Sequence, residues 1–189
     1  RAKLNIVRAY SSNMLYDEVE ILVSNADAVI NCVNTTSEKD GMIVNSIFPA
    51  VLARACKAFK VKMIHVTTDE LYKPYAEGEY TSKHFPTTPD TIGMTRWVGE
   101  RAVVAEGGSV LRASVMGDWA PNHESLPQTI KSFVRGATVE VDDLYFWNGI
   151  TTHTLASILH STLSAGGTLW EGTRTFASAE TVSRVKLFE

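Results

Sequence analysis

Short apolar runs alternate with stretches of helical periodicity through the middle of this chain, and this alternation constrains the fold more than any other feature. The apolar runs are rich in β-branched residues and are bounded by polar segments, as buried strands are. Strands are predicted at Asp27–Val33, Lys62–Thr68 and Ser109–Val115, and helices at Ser46–Phe59 and Thr91–Glu106. Strands that alternate with long helices predict right-handed βαβ units, and therefore an α/β fold built on a parallel sheet.

Local signals mark the ends of the two long helices. Asn45 is predicted to be the N-cap of the first helix, and Pro49 is predicted to lie in its first turn, where a missing N–H costs little. Gly107 and Gly108 are expected to end the second helix.

The flanking segments have a looser rhythm. Further helices are predicted at Tyr16–Ser24, Ser125–Val134 and Thr154–Leu163, the last ended by Gly166–Gly167, and further strands at Leu4–Val7, Thr138–Val141 and Thr173–Ala177. A loop rich in Tyr, Gly, Lys and Pro spans Tyr72–Pro89. The segments after Gly117 are too short and too interleaved for an independent domain.

Composition argues against several classes of protein. The 44% of hydrophobic and 21% of charged residues are those of a soluble globular protein. A net charge of -3 without a basic run argues against nucleic acid, and no apolar stretch approaches the roughly 20 residues of a membrane span. The histidines lack metal-ligand spacing, so no metal site is predicted. Cys32 and Cys56 are predicted to be buried free thiols, in keeping with a cytoplasmic location.

Polar and small residues follow each predicted strand, at the edge of a parallel sheet where ligands bind. These residues and their flanks resemble extended short-chain dehydrogenases/reductases, in particular dTDP-4-dehydrorhamnose reductases. The matching segments, in collinear order, are Val44–Ala53, His65–Tyr72, Ile92–Glu100, Leu111–Gly117 and Asn148–Ala156. The resemblance implies a Rossmann-like, doubly wound sheet in a single domain of residues 1–189. Residues 1–117 would form its nucleotide-binding core, and residues 118–189 its substrate side.

The resemblance also implies a three-part site for hydride transfer from NAD or NADP to a sugar ketone. In the family a Ser or Thr orients the carbonyl, a Tyr donates the proton, and a Lys four residues later contacts the cofactor ribose. These three positions hold Thr68, Ile92 and Arg96. Isoleucine has no proton to donate, so a general-acid contribution of ~10²–10⁴-fold is absent, whereas Arg96 keeps a positive charge. The implied cofactor contacts are Asn34, Thr67, Arg96 and Ser114.

A glycine-rich turn, which a dinucleotide site needs, is absent from this sequence. In the family this turn would lie upstream of Arg1. We therefore expect a sheet truncated at its N-terminus, whose open edge favours a homo-oligomer or a larger protein assembly.

Two functions follow from these patterns. The first is a degenerate, non-catalytic homologue of nucleotide-sugar reductases that acts as a scaffold, assembly or regulatory component. Such a protein could still bind a nucleotide sugar, and it would not need a cofactor. The second is an active NAD(P)-dependent reductase or epimerase with an unconventional proton donor, for which the tyrosines of the loop are candidates: Tyr72, Tyr75 and Tyr80.

Several residues also have plain structural interpretations. Ile92 and Trp97 are expected to pack in the core, and Arg112 is expected to be structural with a partner yet to be found. Arg96 is either a remnant of the cofactor site or a surface ion-pair partner. Trp119 and Trp147 fall in loops, where exposed aromatic rings often contact a sugar or a protein partner.

Overall fold

The computed structural model describes residues 16–73, 80–87, 90–117, 126–136, 138–141, 146–164, 169–183 and 185–188. The α-helices are α1 (Tyr16–Ser24), α2 (Glu38–Gly41), α3 (Phe48–Phe59), α4 (Thr91–Ala105), α5 (Leu126–Val134) and α6 (Thr152–Ser164). The strands are β1 (Ala28–Asn31), β2 (Lys62–Thr67), β3 (Ser109–Arg112), β4 (Val115–Met116), β5 (Phe146–Trp147), β6 (Ile150–Thr151), β7 (Gly172–Thr175) and β8 (Val182–Ser183). A π-helical stretch, Met42–Ile47, joins α2 to α3, and a 3-10 turn spans Val185–Leu187.

The main sheet has four parallel strands in the order β1-β2-β3-β7. Two small sheets accompany it, a parallel pair of β4 with β6 and an antiparallel pair of β5 with β8. Because the four strands of the main sheet run in one direction, their carboxyl ends form a single edge. The side chains of the candidate site lie at this edge.

Apolar side chains cover both faces of the main sheet, because successive residues of a strand point to opposite sides. On one face, Met63 belongs to a cluster with Val19 of α1 and Val103 of α4. On the other face, Ile64 belongs to a cluster with Leu159 of α6. Helices therefore pack on both sides of a parallel sheet, and the predicted α/β, Rossmann-like, doubly wound fold is confirmed.

The helix predicted to begin at Ser46 is instead part of a helical segment that runs from Glu38 to Phe59. Asn45 is therefore not an N-cap, because it lies buried inside the π-helical stretch. Pro49 lies within this longer segment, where it cannot donate an N–H to the carbonyl four residues earlier. The stretch before it has wider turns, in which the Phe48 N–H bonds to the Ile43 carbonyl.

The same segment, Glu38–Phe59, is long and apolar enough to cross a membrane by length and composition alone, with a mean hydropathy of 1.3. The prediction that no apolar stretch approaches this length was therefore wrong. Part of the segment is buried inside the protein, where it packs against α4 and β2. Packing in the core accounts for the buried part of its apolar residues, such as Val44, Phe48 and Ala53, whereas Met42, Ile43 and Ile47 are exposed.

Several boundaries differ from prediction. The run 138–141 forms no strand, and the predicted strand Ser109–Val115 divides into β3 and β4, because Val115 pairs with β6 outside the main sheet. The first predicted strand is only half-buried, and Ile30 is 41% exposed, because β1 is the outermost strand of the described sheet. Cys56 is buried as expected, whereas Cys32 is exposed.

Other predicted elements are confirmed. The first helix has the predicted bounds Tyr16–Ser24, and β7 (Gly172–Thr175) overlaps the last predicted strand, Thr173–Ala177, and pairs with β3. Gly107 ends α4 with a φ of 86°, a left-handed conformation that favours glycine. The predicted strand Leu4–Val7 and the pair Gly166–Gly167 lie outside the described residues.

Candidate functional site

Thr68, at the position matched to the carbonyl-orienting hydroxyl, follows β2 at the carboxyl edge of the sheet. Its Oγ1 accepts a hydrogen bond from the Glu70 N–H at 3.2 Å and lies 3.4 Å from a carboxylate oxygen of Asp69. Burial raises the pKa of Asp69, although hydrogen bonds from Thr68 and Ser114 oppose this rise. The Ser114 hydroxyl in turn accepts a hydrogen bond from Trp147 Nε1 at 2.8 Å. Polar groups from two neighbouring strand ends thus meet around Thr68.

Ile92, at the position matched to the tyrosine, lies in the first turn of α4. Asp90 caps this helix, because its carboxylate accepts hydrogen bonds from the N–H groups of Ile92 and Gly93 at 3.2 and 3.3 Å. The Ile92 side chain packs over Gly41, where an added Cβ would lie 2.9 Å from the isoleucine Cδ1. Ile92 is 7% exposed, so the prediction that it is a packing residue is confirmed.

Arg96, at the position matched to the lysine, forms an ion pair with Glu70. The arginine side chain is 8% exposed and the glutamate side chain 65%, so the guanidinium is buried and the carboxylate is in contact with solvent. Arg96 Nε is buried and has no hydrogen-bond partner among the described residues. Arg96 was expected to be either a remnant of the cofactor site or a surface ion-pair partner. In the structure it forms an ion pair, but its side chain is buried.

Four residues after Arg96, Glu100 forms a second ion pair with Arg112 of β3. Arg112 Nε lies 3.0 and 2.9 Å from the two carboxylate oxygens, and the side chains are 1% and 4% exposed. Burial raises the pKa of Glu100, while Arg112 and a hydrogen bond from Thr67 oppose the rise. Arg112 also donates to the Tyr72 hydroxyl. The prediction that Arg112 is structural is confirmed, and its partner is Glu100.

The predicted cofactor contacts do not form one group. Asn34 is exposed and its side-chain amide donates to the Cys32 carbonyl at 3.3 Å, whereas Thr67 is hydrogen bonded to buried Glu100. Ser114 and Arg96 both contact residues of the segment after β2. Ser114 and Arg96 are thus linked to the two residues that follow Thr68, whereas the hydrogen bond of the Asn34 amide is local to its own segment.

Tyr72 and Tyr80 were considered as alternative proton donors, and both are engaged elsewhere. The Tyr72 hydroxyl donates to the Thr81 carbonyl at 3.0 Å and accepts from Arg112. The Tyr80 hydroxyl lies 3.2 Å from Thr87 Oγ1. Tyr75 and Trp119 lie outside the described residues, and Trp147, expected in an exposed loop, is half-buried in β5.

Sequence patterns did not predict the polar contacts that fix α4 against the helix before it. The Asn45 side chain accepts from the Thr35 N–H at 2.9 Å and donates to Thr95 Oγ1 at 3.1 Å. A Cβ at Gly99 would lie 1.9 Å from the Asn45 carbonyl oxygen, so only glycine allows this approach of the two backbones. Asn45 directly precedes a stretch of helical apolar spacing, and this pattern predicts an N-cap and not a contact with a neighbouring helix.

The residues at the Tyr and Lys positions do not fit the role that a nicotinamide cofactor would require of them. Ile92 offers no hydrogen-bonding group, and the Arg96 charge is already matched by Glu70. Among the described residues, no group of three or more His, Cys, Asp and Glu side chains is arranged to hold a metal ion. Hydroxyl and carboxylate groups from Thr68, Asp69 and Ser114 remain at the strand ends as hydrogen-bonding groups for a polar ligand.

This chain is similar to several proteins of known name or structure. A dTDP-4-dehydrorhamnose reductase of Mycolicibacterium smegmatis is 33% identical over 97 residues, which are 47% of this chain and 30% of the reductase. The structure of a Bacillus anthracis dTDP-4-dehydrorhamnose reductase in complex with NADP matches with a TM-score of 0.78 at 16% identity, over 92% of this chain and 65% of that one. The Bordetella bronchiseptica enzyme WbmG, in complex with NAD and UDP, matches with a TM-score of 0.76 at 17% identity, over 96% and 60%.

The chain thus spans less than two thirds of the length of these relatives. At such low identities the two solved structures show the fold, which agrees with the parallel sheet described above. The RmlD substrate binding domain family model matches residues 1–186, nearly the whole chain. This chain therefore belongs to the RmlD substrate binding domain family.

Proposed function

We propose that this protein is a homologue of nucleotide-sugar reductases that does not catalyse hydride transfer and acts as a binding, scaffolding or regulatory component. The observation that carries the proposal is Ile92, a buried apolar side chain at the position matched to the proton donor. Without a positioned acid, the alkoxide formed from a sugar ketone has no proton source, and this is a loss of ~10²–10⁴-fold in rate.

The state of Arg96 supports the same proposal. A residue that contacts cofactor ribose needs a donor group at the strand edge, and one terminal nitrogen of Arg96 already donates to Glu70. NADP or NAD binding at this position would have to displace the carboxylate. We therefore expect weak cofactor affinity, with Glu70 as one of its causes.

A nucleotide sugar is the ligand class that we propose for the strand ends. The Bordetella bronchiseptica neighbour is in complex with UDP, and MoeE5, with a TM-score of 0.73, is in complex with UDP-glucuronic acid. In this chain, Thr68, Asp69 and Ser114 supply the hydroxyl and carboxylate groups that would hydrogen bond sugar hydroxyls. A cytoplasmic location and either a homo-oligomer or a larger protein assembly complete the proposal.

A gain-of-function experiment tests the assignment of the lost groups. The double variant Ile92→Tyr, Arg96→Lys restores the hydroxyl and the amine, and we expect it to oxidise NADPH in the presence of a dTDP-4-keto sugar faster than the unaltered chain. The matched control is Ile92→Phe, Arg96→Lys, which has the same ring without the hydroxyl.

Calorimetric titration with NADH and NADPH is run in parallel on all three proteins. Equal rates for the Tyr and Phe variants, despite measurable cofactor binding, would contradict the assignment of Ile92. Micromolar cofactor affinity of the unaltered chain would contradict the role given to Glu70.

A further inference from the structure

An open cavity of about 460 Å³ lies at the carboxyl edge of the sheet, on the side of β7. One wall is the segment 80–82 of the loop after β2, and the other is the end of β7 with the residue that follows it. The cavity is lined by Tyr80, Thr81, Ser82, Arg174, Thr175 and Phe176. Three of these carry aliphatic hydroxyl groups, one carries a positive charge, and none is acidic.

Arg174 is exposed, and its guanidinium lies 5.6 Å from the centroid of the Trp170 ring. Trp170 is a fixed platform, because it is buried and its Nε1 donates to the Val110 carbonyl at 3.0 Å. Phe176 packs against the same ring at a centroid distance of 5.7 Å. No carboxylate of the described residues forms a salt bridge with Arg174, and its side chain is one of those that line the cavity.

The opposite wall is held in place by the buried ion pair. Tyr72, which accepts a hydrogen bond from Arg112, donates to the Thr81 carbonyl at 3.0 Å. The Thr81 N–H donates to His84 Nδ1 at 2.8 Å, and the Tyr72 and Tyr80 rings stack at 4.2 Å. Both walls are therefore fixed before any ligand arrives, which lowers the entropy cost of binding.

We infer that this cavity binds the phosphate group of a small ligand, with Arg174 as the charge partner and the hydroxyls of Ser82 and Thr175 as additional donors. A guanidinium matches the geometry of phosphate oxygens, and hydroxyl groups complete the hydrogen bonds around them. The inference does not depend on whether the reductase step is lost, because Thr68, Ile92 and Arg96 are not among the residues that line the cavity.

The test is a titration of the ¹⁵N-labelled protein with inorganic phosphate, with sodium chloride adjusted to keep ionic strength constant. We expect saturable amide shifts at Thr81, Ser82 and Thr175. Arg174→Gln should weaken phosphate binding about ten-fold or more, because a charged hydrogen bond is lost, and Arg174→Lys should lose less. Pyrophosphate and acetate titrations distinguish a preference for phosphate from a general attraction of anions.

Arg101→Gln is the matched control, since Arg101 is also an exposed arginine but lies on α4. This variant should bind phosphate as the unaltered protein does. The inference is overturned if phosphate causes no saturable shifts at the cavity, if acetate causes the same shifts with equal affinity, or if Arg174→Gln and Arg101→Gln have equal effects.

Discussion

Two ion pairs extend from the same face of α4, one turn apart, and they differ in almost every physical respect. Glu100 and Arg112 are both buried, and the guanidinium meets both carboxylate oxygens. Arg96 is buried but Glu70 is mostly exposed, and Arg96 Nε has no partner among the described residues. The inner pair joins the helix to the sheet, whereas the outer pair joins it to the loop that carries Thr68.

This difference separates a structural role from a functional one. Removing one member of a fully buried pair leaves a charge that water cannot reach, and such a charge destabilises a fold severely. The outer pair has water on its carboxylate side, so its loss is tolerated. We conclude that a substitution of Arg96, at the Lys position, can alter the chemistry of the site without a large loss of stability. Glu100, one turn later, is required for folding.

The largest effect is expected at the inner pair. Arg112→Met should lower the free energy of unfolding by about 3–5 kcal/mol, because Glu100 is left buried and unpaired. Urea unfolding measures the loss, with exposed Arg101→Met of the same helix as the control, which should change stability by less than about 0.5 kcal/mol. A loss below about 1 kcal/mol for Arg112→Met would show that the Glu100–Arg112 pair matters no more for stability than the Arg96–Glu70 pair.

A buried hydrogen bond between uncharged side chains can be compared with the two ion pairs. Asn31 and His65 are hydrogen bonded at 3.1 Å, and burial lowers the pKa of His65 to about 4 from 6.5. Since the unfolded chain takes up this proton first, stability should fall as the pH falls from 6.5 towards 4. The histidine should cost about 2 kcal/mol between pH 7 and pH 5.

The measurement is urea unfolding at pH 7 and pH 5 for the unaltered chain and His65→Gln. The variant is the necessary reference, because the raised carboxyl pKa values of Asp69 and Glu100 contribute with the opposite sign. A pH dependence that is the same in both proteins would show that His65 does not carry the effect.

A smaller effect is expected at the outer pair. Glu70→Gln should cost about 1 kcal/mol or less, because Glu70 is 65% exposed and water can replace its carboxylate. Thermal unfolding of this variant beside Arg112→Met compares the two pairs directly. Equal losses would show that the outer pair is as structural as the inner one.

The smallest effect is expected at Thr68. Thr68→Ala removes a half-buried hydroxyl whose hydrogen bonds are with its neighbours Asp69 and Glu70, so stability should change by less than about 0.5 kcal/mol. If Thr68 contacts a ligand, nucleotide-sugar binding measured by calorimetry should weaken in the same variant. A large loss of stability with unchanged binding would reverse this assignment.

The main strands and helices of the sheet could be predicted because their periodicity is a local property of the chain. The boundaries that were missed depend on contacts made elsewhere. Val115 leaves the main sheet because β6 pairs with β4, and Asn45 lies inside a helix because Thr35 and Thr95 satisfy its amide. No local signal carries either contact.

The candidate site was predictable in its residue types but not in its pairings. A resemblance aligned Ile92 and Arg96 with the reductase positions, and the burial of Ile92 followed from its helical spacing. The partner of Arg96 could not be found in the same way, because Glu70 reaches it from a loop 26 residues earlier. The pairing of Glu100 with Arg112 could not be predicted either, since a charged residue in a helix is usually solvated.

Loss of the reductase step together with the proton donor is tested most directly by the turnover of the unaltered protein. NADPH oxidation is followed with a dTDP-4-keto sugar at saturating concentrations of both, against a protein-free control. We predict a rate no higher than that control. Repeated turnover per protein molecule, abolished by Thr68→Ala, would contradict the claim and show that another group delivers the proton.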